Sequence, residues 1–140
     1  MSTKRIVVGT DGSDYSVAAL RWAIDEAIVH GDAVEVVYSW EFPPVIDPLG
    51  VAMIPNADEL TASAERLLKD VLGKVDTKSA RVTARVVRGS PASALLTAAR
   101  EADLLVIGRR GHGGFMGLLL GSVAQQVVHH APCPVVVVPA

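Results

Sequence analysis

Cysteine occurs once, at Cys133, so no disulfide framework can form within the chain, and a lone thiol suits a reducing compartment. No apolar run approaches the roughly 20 residues that span a bilayer, so no membrane partner is expected. At the N-terminus, MSTKRIVVGTDG offers only Ile6-Val7-Val8 before glycine and aspartate, too short for a secretory leader. A cytoplasmic location is therefore expected. Excess positive charge is missing too: 13 Lys and Arg stand against 15 Asp and Glu, so no basic field advertises nucleic-acid binding. Acidic residues stop at Asp103. Beyond it the only full charges are Arg109 and Arg110, which makes the last quarter of the chain tolerant of an anion or simply buried.

What is present is enough for a sizeable core. The 140 residues are 50% hydrophobic, which excludes a disordered chain and predicts one domain over residues 1–140. No internal repeat interrupts it.

The chain alternates strand and helix signals. Ile6 to Val8 is β-branched and stops at Gly9-Thr10-Asp11-Gly12. A helix follows, capped by Ser13 or Asp14, with Leu20, Ile24, Ala27 and Ile28 on its apolar face and Gly31 at its end. Val34 to Tyr38 reads as a second strand, and the segment from Phe42 to Pro55, with its prolines, as a long loop. Asn56 with Glu59 resembles a capping box ahead of a stripe of Leu60, Ala64, Leu67 and Val71. Val82 to Val87 forms a third strand, and Ser90-Pro91 starts another helix with proline at its first position. Leu104 to Ile107 is apolar throughout, as in a strand covered on both faces. Ser122 with Gln125 signals a last capping box, for a helix ending near His129 and His130, and Val135 to Val138 forms the last strand.

Right-handed crossovers turn this order into an α/β, Rossmann-like, doubly wound parallel sheet of five strands, with helices on both faces. The expected strand order is 3-2-1-4-5. It sets the first and fourth strands side by side at the switch point, where such sheets bind ligands outside the carboxyl ends of their strands. The loops arriving there are Gly9 to Ser13 and Gly108 to Ser122.

The second loop, GRRGHGGFMGLLLGS, carries Gly108, Gly111, Gly113, Gly114, Gly117 and Gly121 and ends in Ser122. Glycine lets backbone N–H groups approach phosphate oxygens, and a helix start behind them adds free N–H groups and a positive dipole end. The Ser122 hydroxyl suits a phosphate oxygen or a metal ion, and Arg109 and Arg110 supply positive charge. A surface loop ahead of a capped helix is the plain alternative. The segment is not a Walker A loop, for no Gly-Lys-Ser/Thr occurs, and it lacks the G-x-G-x-x-G of dinucleotide folds.

It resembles the ATP-binding signature of the universal stress protein family, G-x2-G-x9-G followed by Ser or Thr, at Gly108, Gly111, Gly121 and Ser122. VVGTDGSDYS, VRGSPASALLTAA and PCPVVVVP are similar to the family as well, so the resemblance covers nearly all of the chain outside the proline-rich loop. It implies ATP, with Mg or Mn, as the ligand of a nucleotide-dependent regulatory module. Slow turnover is expected because the loop offers arginines and a serine but no acidic residue to activate water, and a slow ATPase or autophosphorylating protein is the alternative. The resemblance also implies contacts from Gly9, Thr10 and Asp11 to the nucleoside, with Tyr38, Ser39 and Trp40 along the adenine edge. Gly108, Arg110, Gly111 to Gly114, Gly121, Ser122 and Val123 would surround the phosphates, and Arg109 and His112 occupy variable positions of the motif. Last, it implies a homodimer through Val135 to Val138, for which a proline at Val136 is the natural probe.

Bland readings stand beside these. Asp11 is suited to capping a turn, His112 to a solvated loop, Cys133 and Trp22 to packing, and His129 and His130 to a helix C-terminus. A receiver domain is excluded, because Val87-Arg88-Gly89 follows the third strand and no lysine follows Lys78. An adenylyl transferase or pyrophosphatase lacks its motifs here. A dimer with an empty or cAMP-occupied pocket stays open.

Overall fold

The computed structural model describes residues 4–42, 56–111 and 120–139. The proline-rich segment beyond Phe42 lies outside them, as do His112, Gly113, Gly114 and Gly117. The elements run β1 (Arg5–Gly9), α1 (Asp14–His30), β2 (Ala33–Trp40), α2 (Ala57–Gly73), β3 (Arg81–Arg88), α3 (Pro91–Ala99), β4 (Leu104–Gly108), α4 (Ser122–His130) and β5 (Val135–Val138). Every strand pair is parallel and the order is β3-β2-β1-β4-β5, so the expected doubly wound sheet is the observed one.

Side-chain alternation divides the sheet into two cores. Ile6, Val8, Val34, Val36 and Val106 face α1 and α2, where they meet Leu20, Ile24, Leu68 and Val71. Val7, Val37, Leu105 and Ile107 face α3 and α4, against Leu95, Ala98, Ala99, Ala124 and Val127. The period of two along a strand makes this split automatic. Complete burial of Val7, Val8, Leu105 and Val106 explains why β1 and β4 read as unbroken apolar runs.

Local chemistry sets the helix ends. Ser13 caps α1 by accepting from Ser16 N at 3.3 Å, and Gly31 closes it at φ 70°, where a side chain would be strained. Asn56 caps α2 by accepting from Asp58 N at 2.8 Å. Two expectations shift. Ile28, in the last turn of α1, is 36% exposed, while the buried stripe runs through Val17, Leu20, Ile24 and Ala27. In α2 the buried residues are Ala64, Leu68 and Val71, and Leu67 sits beside the stripe; a 3.6-residue period accommodates either leucine.

β5 is an edge strand in which alternate residues face β4. Leu105 N donates to Pro134 O and Arg109 N to Val138 O, both at 3.0 Å. By the same alternation Val136 turns its peptide groups toward β4, and Val135 and Val137 turn theirs outward. Val136 is therefore an internal donor, and the residues that offer N–H groups at the edge are its two neighbours.

Candidate functional site

A cavity of about 450 Å³ opens at the carboxyl edge of the sheet, between the exits of β1 and β4. This is within the size range of small-molecule sites. Gly9, Thr10 and Asp11 line it from β1, Tyr38 and Ser39 from β2, and Gly108, Arg110, Gly111, Gly121, Ser122 and Val123 from the β4–α4 side. The fold brings these residues to one cavity. Arg109 and Trp40 do not line the cavity. Arg109 is tied by its backbone, donating to Val138 O and accepting from Gly121 N at 2.9 Å. Trp40 packs edge-on against Phe42, their centroids 5.4 Å apart, with the Arg88 guanidinium over both rings.

Ser16, Val37, Pro91, Leu95, Ile107 and Ala124 also line the cavity, beyond the residues that the sequence singles out. A signal for two of them existed. In a parallel doubly wound sheet every crossover helix starts at the carboxyl edge, so the first turns of α3, with Pro91 and Leu95, must face the same crevice.

Close approaches explain three glycines. At Gly108 a Cβ would lie 2.9 Å from the Tyr15 backbone, so β4 can end against the first turn of α1 only without a side chain. At Gly9 it would meet Leu95 Cδ1 at 2.7 Å, and leucine is thereby admitted to the cavity wall. At Gly111 the space is filled by the Asp11 carboxylate. Gly121 is less confined: the nearest atom to the place a Cβ would take is Arg110 Cα, at 3.4 Å.

The two walls differ in polarity. On the β1 side, Thr10, Ser13 and Ser16 are buried polar residues held by a local network. Thr10 Oγ1 and Ser16 Oγ are 2.9 Å apart, Gly12 N donates to Thr10 Oγ1 at 3.2 Å, and Ser16 Oγ donates to Ser13 O at 2.8 Å. Asp11 Oδ1 accepts from Ser13 N at 2.9 Å, the turn-capping geometry typical of aspartate after a strand. On the other side, Gly121 rather than Ser122 occupies the N-cap of α4, and no side chain caps it. Gln125 does not close a capping box; its Nε2 donates to Leu120 O at 3.0 Å. The first intrahelical bond is Gln125 N to Gly121 O, so the N–H groups of Ser122, Val123 and Ala124 have no partner within α4, and all three residues line the cavity. With Arg110 beside them, this wall presents donors and positive charge.

Among the described residues no group of three or more His, Cys, Asp or Glu could hold a metal, and no helix is long and apolar enough to cross a membrane.

Comparisons with known proteins agree with this architecture. Residues 2–139 match the universal stress protein family. A universal stress protein of Thermus aquaticus is 39% identical over 138 residues, covering 96% of this chain and 98% of that protein. One from Mycolicibacterium smegmatis is 34% identical over 140 residues, 95% of this chain and 47% of that protein, so the chain spans about half the length of that relative. A crystal structure of a universal stress protein in complex with cAMP superimposes with a TM-score of 0.75 at 27% identity, covering 99% of both chains. One from Archaeoglobus fulgidus in complex with dAMP gives 0.71 at 26% identity, covering 99% of this chain and 100% of that one. The chain belongs to the universal stress protein family.

Proposed function

We propose that this chain binds ATP in the cavity at the carboxyl edge of the sheet and acts as a nucleotide-dependent regulatory module of the stress response. The observation that carries the reading is the donor wall: three N–H groups at the start of α4, Arg110 and Gly111 line one side of a cavity at the switch point. Triphosphate belongs against that side, and the nucleoside against Gly9, Thr10, Asp11, Val37 and Ser39. The signature residues Gly108, Gly111, Gly121 and Ser122 fall on the phosphate side of this assignment.

Mg or Mn fits here only as a passenger of the nucleotide. A metal that takes most of its ligands from phosphate and water needs one or two protein oxygens, and the exposed Ser122 at the cavity rim supplies a hydroxyl that no cap bond uses. When bound, the metal neutralises phosphate charge. Turnover is slow, because Asp11 is the one carboxylate lining the cavity among the described residues, and its Oδ1 is engaged by Ser13 N. On this reading the protein works in the cytoplasm, residues 1–140 act as a single domain, and the outer edge of β5 is the seam of a homodimer.

A second reading, an adenosine monophosphate or cAMP module, draws on the two related structures described as cAMP and dAMP complexes. Mass spectrometry of nucleotide released from the purified protein separates the two. ATP as the released species supports the first reading; AMP or cAMP supports the second.

A further inference from the structure

We infer that Thr10 and Ser16 determine ligand specificity, forming an acceptor-only wall that takes the sugar alcohols of the bound nucleotide; this rests on the ATP reading above. Both side chains are buried, at 8% and 4% exposure, and both residues line the cavity. Their hydrogens can be assigned by counting. Ser16 Oγ donates its single hydrogen to Ser13 O at 2.8 Å. The 2.9 Å contact between Thr10 Oγ1 and Ser16 Oγ must then be donated by Thr10. Thr10 Oγ1 in turn accepts from Gly12 N at 3.2 Å. A one-way relay results, from Gly12 N–H through Thr10 and Ser16 to Ser13 O.

Both hydroxyl hydrogens are committed within the protein, and each oxygen keeps one lone pair. Asp11, between them in the chain, is turned elsewhere, its carboxylate accepting from Ser13 N and filling the space beside Gly111. A phosphate oxygen at this wall would set acceptor against acceptor. An alcohol satisfies it. Since the opposite wall is built of N–H groups, the cavity has a built-in direction: hydroxyl-bearing sugar toward β1, phosphate toward α4.

The test is a pair of titrations, with ATP and with 2′,3′-dideoxy-ATP, which differ only in the alcohols. Wild-type protein should prefer ATP by about five- to tenfold, the worth of one or two modest hydrogen bonds. Thr10→Val keeps the shape, removes the acceptor, and should reduce the preference to about twofold or less, while Thr10→Ser restores it. Ser16→Ala, which removes the second acceptor and releases the Thr10 hydrogen but keeps the Thr10 oxygen, should lower the preference partway and serves if Thr10→Val does not fold. Equal affinity of wild type for the two nucleotides overturns the inference and leaves the ATP reading intact, as does a preference that survives in both Thr10→Val and Ser16→Ala. Binding of neither nucleotide overturns both.

Discussion

The Asp11 carboxylate occupies the space into which a side chain at Gly111 would project. This contact joins the exits of β1 and β4, the two loops that form the cavity. The family resemblance implies Asp11 at the nucleoside end and Gly111 at the phosphate end; in the folded chain the two adjoin. Gly111→Ala should therefore displace the carboxylate and strain its bond from Ser13 N, costing about 1–2 kcal/mol of stability. Adding Asp11→Ala removes the collision, so the double variant should lose less than the sum of the singles. Denaturant unfolding of the four proteins measures this, and strict additivity would argue against the contact.

Glycines of the same motif should respond differently. Gly108→Ala places a methyl 2.9 Å from the Tyr15 backbone, which cannot step aside as a side-chain tip can, and should destabilise the fold by about 1–3 kcal/mol. Gly121→Ala meets its nearest neighbour at 3.4 Å and should fold nearly normally while binding ATP less well. Thermal melts and titrations of both variants check the pair. Loss of stability at Gly121 equal to that at Gly108 would contradict the geometry.

The dimer has a probe in Val137. Its N–H faces outward from β5, whereas that of Val136 faces β4, as the bonds to Pro134 O and Val138 O indicate. Val137→Pro should shift a light-scattering dimer toward monomer with little loss of stability. Val136→Pro should instead weaken the monomer itself. A wild type that scatters as a monomer at micromolar concentration removes the β5 dimer.

Cys133 should be a slow thiol. Burial raises its pKa above the ordinary range, with a further push from the charge of Asp103, so less thiolate is present at pH 8 than for an exposed cysteine. Modification by a disulfide reagent in the native protein should lag behind that in denaturant and accelerate as the pH rises. Equal rates in the two states would contradict this.

Much of the fold is legible in the sequence because each element carries its own period and punctuation. Ser13, Gly31 and Asn56 mark the ends that their chemistry suggests, and Pro91 opens α3 as expected, although the Ser90 side chain before it makes no cap bond. The strands extend past their apolar runs, since β3 and the ends of β2 continue through exposed or half-exposed residues such as Arg81 and Arg88. The site's outline follows from strand order, but its polarity does not. Whether Thr10 gives or takes a hydrogen bond depends on Ser16, a turn further along, and on a carbonyl. Arg109 and Arg110 are identical in kind and adjacent, and only the fold distinguishes the one that lines the cavity. Nor can a glycine pattern tell a phosphate contact from a packing contact: Gly108 and Gly111 are already required by Tyr15 and Asp11.

The central claim is that the donor wall at α4 holds the phosphates of ATP. Calorimetric titration of the purified chain with ATP and with adenosine, in Mg-containing buffer, tests it most directly. Binding of ATP at least about tenfold tighter than adenosine, a difference of about 1.4 kcal/mol, is the expected result. Equal affinity for the two, or no binding of ATP, would contradict it.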